Sequence, residues 1–320
     1  MNHLNYAFDS KNQIWRYIVV LILSFAIANT IGAIPIGIIM VLGLIKSGGL
    51  QSTPENMMDF STYGIDQNLG LAALLFSFFV AFVGFVLLLK PFHNRTLQGT
   101  INGTNKIRWK KISIGFLVWA VLMLTSLIIT LITSPGELKL QFEWSSFIPL
   151  FFIALLLIPF QTAYEEVTFR GYLLQGIATG TKSKIWALVI TSLVFGLLHS
   201  INPEVKEYGF MATMPSYIGF GLIFGLITLL DDGVELAIGI HTANNFLSAI
   251  LVSSPHSALV TPAIYSVDKI DPYADMLSLY IFGIIAIIIF SFIYKWNWKT
   301  LGKRVEIDSE KTNGTPENSL

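Results

Sequence analysis

Residues 146–170 read SFIPLFFIALLLIPFQTAYEEVTFR. Eighteen residues without a charge (146–163) run straight into Glu165, Glu166 and Arg170. The first part has the length and composition of a membrane-spanning helix, which needs about 20 apolar residues to cross the hydrocarbon. The second part places three ionisable side chains beside that hydrocarbon. Charges there cost several kcal/mol unless they pair or line a wet cavity, so such a cluster reads as a functional site.

Outward from this stretch, the chain keeps the same character. Of its 320 residues, 53% are hydrophobic and 12% are charged, with a mean hydropathy of +0.66. Soluble chains carry about twice that charged fraction, so composition selects a membrane bundle over soluble domains. The formal net charge is zero, which gives no case for nucleic acid as a partner. The absence of cysteine removes disulfides, thiolate metal sites and a cysteine nucleophile.

Eight apolar segments are predicted as helices: 17–45, 69–89, 112–134, 146–163, 185–200, 214–230, 235–253 and 276–294. The fold class expected is all-α, a polytopic membrane bundle of about eight transmembrane helices. The first segment is overlong, and Pro35 between Gly32 and Gly37 predicts a kink in it. That segment exceeds the core of a signal peptide and is read as a retained span. Residues 1–16 form an N-terminal segment, 17–295 the bundle, and 296–320 a polar tail expected to be disordered.

Loop charge supplies an orientation. The 90–111 connection holds Lys90, Arg95, Lys106, Arg108, Lys110 and Lys111 with no acid, which predicts a cytoplasmic loop. Counting from it puts both termini in the cytoplasm. Asp231-Asp232 is the exception, an acidic pair landing on the basic side.

Three groups of residues carry the candidate chemistry. Glu166 and Arg170 stand at i,i+4 in the acid-first order and are expected to pair, leaving Glu165 as the freer carboxylate and candidate general base. His199 closes Phe195-Gly196-Leu197-Leu198-His199. Residues 165 and 199 are symmetric about Lys182, where TGTKSK (179–184) interrupts the apolar pattern. A helical hairpin turning there would set Glu165 and His199 opposite each other, each about 25 Å from the turn. His241 and Asn245, again at i,i+4, share a helix face and offer N–H donors of the kind that stabilise a developing oxyanion. Asn244 reads as a helix–helix hydrogen-bonding residue. Gly221 and Gly225 read as a tight-packing face.

With these residues laid out, the chain resembles the CPBP family, the CAAX-type prenyl-protein proteases and bacteriocin-processing or immunity proteins also called Abi. Its pattern EExxxR, FxxxH and HxxxN stands here as Glu165-Glu166-x-x-x-Arg170, Phe195-x-x-x-His199 and His241-x-x-x-Asn245. The stretch Ile107-Arg108-Trp109-Lys110-Lys111 before a span is also similar. The match runs over about 146–252. The resemblance implies an intramembrane glutamic endopeptidase of the bacterial plasma membrane, without a cofactor, acting on a membrane-associated protein or peptide. It implies that Glu165 and His199 activate water, that His241 and Asn245 hold the oxyanion, and that Glu166 and Arg170 support them. Two other readings stay open. Two histidines and a glutamate also suit a zinc peptidase, although no HExxH is present. A scaffold or immunity protein would need none of this chemistry. A transporter is disfavoured because no second symmetric half is evident.

Overall fold

A computed structural model describes residues 2–49 and 56–305. Every apolar segment expected to be helical is a helix. The order is α1 (Asn2–Asn5), α2 (Ile14–Ile27), α3 (Ile34–Ser47), α4 (Gln67–His93), α5 (Leu97–Asn102), α6 (Trp109–Thr133), α7 (Trp144–Glu166), α8 (Leu174–Thr181), α9 (Lys184–Leu198), α10 (Pro203–Tyr208), α11 (Phe210–Asp231), α12 (Glu235–Leu251) and α13 (Pro272–Tyr294). Among the described residues, six helical runs are long and apolar enough to cross a membrane. The other two expected spans are α9, an apolar helix of 15 residues, and α12, of 17.

The first run, Ile14–Ser47, is interrupted as expected, but one turn ahead of Pro35: residues Ala28–Gly32 form a π turn. Proline lacks an N–H, and its ring would strike the carbonyl four residues earlier, at Ile31. A widened turn relieves both problems. The fourth run is longer than expected. α7, a π turn at Val167–Leu173 and α8 are continuous from Trp144 to Thr181. Lys182 ends this run in the left-handed conformation (φ 57°), and the Ser183 hydroxyl caps α9 by accepting from Trp186 N. The hairpin therefore turns at 182–183, where polar and β-branched residues break the apolar pattern.

Small residues set how closely the helices approach. On α6 and α12, a methyl group added to Gly239 would sit 2.1 Å from Ile112 O, and one on Gly115 would sit 2.5 Å from Leu236 O. Gly221 of α11 lies against the Ser192 backbone of α9, as its small-xxx-small spacing predicts. The core threads between these pairs through Trp119, Ile158, Phe224, Ile240, Ala243 and Phe246.

The basic end of the bundle is a knot of ion pairs. Arg108 and Lys111 contact Asp231 at 3.2 and 2.7 Å, and Arg108 also pairs with Glu235. The acidic exception to the loop-charge pattern thus supplies counter-ions to the basic loop. The N-terminal segment docks on the same end, where His3 N donates to Asp232 (3.2 Å) and Leu4 is fully buried. The tail expected to be disordered from 296 is structured as far as Val305. Apolar Val305 packs with Leu4, Leu174 and Leu229, and its N–H bonds Lys182 O. Residues 306–320 lie outside the described residues. At the opposite end, short strands β1 (Lys139–Leu140), β2 (Val252–Ser253) and β3 (Tyr265–Ser266) pair in the order β1-β3-β2, β1 antiparallel and β2 parallel to β3.

Candidate active site

The two carboxylates at the end of α7 have different surroundings. Glu166 is fully buried. Its Oε1 accepts from Arg170 Nη1 at 2.8 Å and from His241 Nδ1 at 2.7 Å. Arg170, only 1% exposed, also donates to Phe220 O (3.3 Å) and lies 4.2 Å from the Phe195 ring centre. The pair is internally neutral, and the ring face adds attraction in a desolvated setting. Glu166 Oε2 is buried without a partner among the described residues, a position ordinarily met by water.

Glu165 is the freer carboxylate, as expected, with its side chain 12% exposed. Oε1 accepts from Gln161 Nε2 at 2.9 Å, and Oε2 stands 3.8 Å from His241 Nε2. His241 therefore joins both carboxylates. Because an ion-paired carboxylate only accepts, Nδ1 of His241 carries a proton toward Glu166, and Nε2 is the atom turned to Glu165. Asn245 donates to Gln161 Oε1 at 3.1 Å, leaving its second N–H free of that bond.

His199 is held separately. Its Nδ1 donates to Phe195 O (2.7 Å), so Nε2 is the free nitrogen. The ring stacks on Tyr217 at 4.7 Å and 24°, and Asn202 fixes the Tyr217 hydroxyl (3.0 Å). The Phe195 ring lies between the two histidines, 4.5 Å from the His199 ring and 6.4 Å from the His241 ring. The direct partner of Glu165 is thus His241, and the His199 ring joins the cluster through Phe195, whose ring also lies against Arg170. Beside His199, on α10, burial pushes the Glu204 carboxyl above the usual carboxylate range. Glu204 Oε1 accepts from Ala258 N at 2.6 Å, which ties α10 to the loop after α12.

Gln161, Tyr217 and Glu204 were not singled out by sequence reasoning. Gln161 had a usable signal, since it sits four residues before Glu165 on the same face. Tyr217 had none, because an aromatic residue in an apolar helix reads as core.

The π turn begins one residue after Glu166 and ends beyond Arg170. Such turns re-aim side chains and concentrate at functional sites. Here it spaces Arg170 so that the guanidinium reaches back to Glu166 while Phe169 and Tyr172 stay buried. The zinc alternative requires Glu165, His199 and His241 on one ion. Among the described residues, no three His, Asp or Glu side chains converge to hold a metal.

Fold and site together define a polytopic helical membrane protein whose acid–histidine cluster is enclosed by α7, α9, α11 and α12. Comparison with known proteins adds a likeness. Residues 144–247 match the Rce1-like family, described as type II CAAX prenyl endopeptidase Rce1-like, and that segment holds all three motifs, as the resemblance implied. The chain is also 28% identical over 277 residues to the uncharacterized protein YyaK of Bacillus subtilis (strain 168), covering 85% of this chain and 89% of that protein. No solved structure matches it.

Proposed function

We propose that the chain is an intramembrane endopeptidase that hydrolyses a peptide bond of a membrane-associated protein or peptide, with Glu165 as general base. One observation carries the reading. Adjacent carboxylates on one helix have divided roles: Glu166 is buried and paired, while Glu165 is partly open and faces a histidine nitrogen at 3.8 Å. The family match over 144–247 supports the reaction class.

Water attacks the scissile carbonyl as its proton passes to Glu165, with the free Nε2 of His199 as the second acceptor that orients the water. The carbonyl oxygen becomes an oxyanion. Asn245 offers it an N–H, and His241, held at Nδ1 by Glu166, lines the same space with its Nε2 edge beside Glu165. Glu165 then returns its proton to the leaving amine, so the reaction consumes one water and no cofactor. Removing one oxyanion donor typically costs about 100-fold or more in rate.

Along the helices the site lies between the two ends of the bundle, with Glu165 lying 16 residues, or about 24 Å, from Thr181 at the basic end. His241 lies six residues, or about 9 Å, along α12 from Glu235, the partner of Arg108. Glu165 lies about 31 Å along α7 from Trp144, counted at about 1.5 Å per residue. By loop charge the basic end faces the cytoplasm, with both termini there, in a bacterial plasma membrane.

The test is a comparison of membrane and released peptides between cells carrying the wild type and Glu165→Gln. Peptides or precursors that change in the variant identify the substrate. An unchanged peptide population together with a fully supported cellular phenotype would mean a scaffold.

A further inference from the structure

The hydrogen bonds on Glu165 do not end at Gln161. Trp119 Nε1 donates to Asn244 Oδ1 (3.2 Å), Asn244 Nδ2 to Asn245 Oδ1 (3.1 Å), Asn245 Nδ2 to Gln161 Oε1 (3.1 Å), and Gln161 Nε2 to Glu165 Oε1 (2.9 Å). These four bonds link α6, α12 and α7. They also run in one direction. An indole N–H can only donate, and a carboxylate can only accept, so the two ends fix the orientation of all three amides between them. An amide flipped at any position would set donor against donor on one side and acceptor against acceptor on the other.

We propose that Trp119, Asn244 and Gln161 are positioning residues, forming a one-way relay that holds Glu165 and Asn245 in their working orientations. The assignment rests on Glu165 acting as the base. Trp119 anchors the relay: it is 1% exposed and packs edge-on against Phe224 and Phe282, at 6.2 and 5.9 Å. From there the relay gives Asn245 a fixed plane, so that the N–H not used on Gln161 points to one place. It gives Glu165 Oε1 a permanent donor, leaving Oε2 to face His241 and water. Bonds linked in series in a low-dielectric interior strengthen one another, so the far end bears on the carboxylate although it lies on another helix. Asn244 therefore does more than join two helices.

The test uses the full chain in detergent or lipid nanodiscs. The indole N–H resonance of Trp119, assigned by its loss in Trp119→Phe, reports the first bond. Asn244→Leu is expected to move it away from the hydrogen-bonded position, and Gln161→Met to shift it by less. With the substrate found by the peptide comparison, Gln161→Met is expected to lower kcat ten- to a hundredfold and Trp119→Phe by less. KM should stay unchanged in both, since neither residue touches substrate. Small misplacements of reacting groups commonly cost about 100-fold. An indole resonance unmoved by Asn244→Leu would overturn the relay, as would a Gln161→Met enzyme with wild-type kcat. If the indole responds as expected but the wild type cleaves nothing, the relay stands and the protease reading fails. Trp119→Phe keeps the buried ring and is the variant least at risk of misfolding.

Discussion

Removing the Arg170 guanidinium should destabilise the chain more than any other single change at the site. In Arg170→Met, Glu166 stays fully buried and keeps only His241 as a charged or polar partner. Breaking a buried pair from one side costs about 3–5 kcal/mol, because the remaining charge is uncompensated. Loss of the contact with the Phe195 face, at 4.2 Å, adds up to about 2 kcal/mol. At about 2 °C per kcal/mol for a large chain, the pair alone predicts a fall in Tm of roughly 6–10 °C. Thermal unfolding of purified protein, followed by tryptophan fluorescence, measures it. Glu166→Gln with Arg170→Met removes both charges and should recover much of the loss, because the two positions are coupled. A fall below about 2 °C in the single variant, or a double variant as unstable as the sum of the singles, would refute the argument.

Three further outcomes follow from the geometry. Burial holds His3 at a pKa of about 4, below its ordinary 6.5. Docking of the N-terminal segment should be fully stable above pH 6.5 and weaken as pH falls toward 4, by on the order of 3 kcal/mol; hydrogen exchange at pH 7.5, 5.5 and 4.5 measures this, and His3→Leu should remove the dependence. Gly239→Ala places a methyl 2.1 Å from Ile112 O and should cost about 1–3 kcal/mol or more by parting α6 from α12, while Gly37→Ala, with nothing within 4 Å, should be neutral or slightly stabilising in the same melting assay. Peptide cleavage should survive a chelator, and the purified protein should hold less than one equivalent of zinc; activity lost to chelation and restored by zinc would instead place a metal on Glu165, His199 and His241.

Much of this architecture was legible because the bilayer penalises polar residues so heavily. Glu165, Glu166 and Arg170 stood out against 18 uncharged residues, and spacing alone predicted the Glu166–Arg170 pair. The turn at Lys182 was marked by residues that a span would not carry. What escaped was whatever hydrocarbon tolerates, the neutral amide of Gln161 and the ring of Tyr217, together with Glu204, which sits outside the spans on a six-residue helix. The joining of His241 to both carboxylates was also hidden, since it depends on how α12 lies against α7. Helix periodicity gives the face of a residue but not the rotation of a neighbouring helix. The polar segment from 296 was expected to be unstructured for a related reason, and it is ordered as far as Val305. A polar composition does not show that Val305, well along that segment, packs with Leu4, Leu174 and Leu229.

The length of α9 has a consequence for the surrounding lipid. Its 15 residues reach about 22 Å, against a hydrocarbon thickness of about 30 Å. Lipid beside α9 must thin, or headgroups and water must dip, to meet the polar residues at its end. His199 is the first of those residues, so such a depression would fall on the flank of the bundle where the site lies. Membrane thickness then bears on the site: thicker, more ordered lipid has a larger deformation cost around α9 than thin lipid does. A substrate helix with a short apolar stretch would be drawn to the same depression, because it relieves the same mismatch.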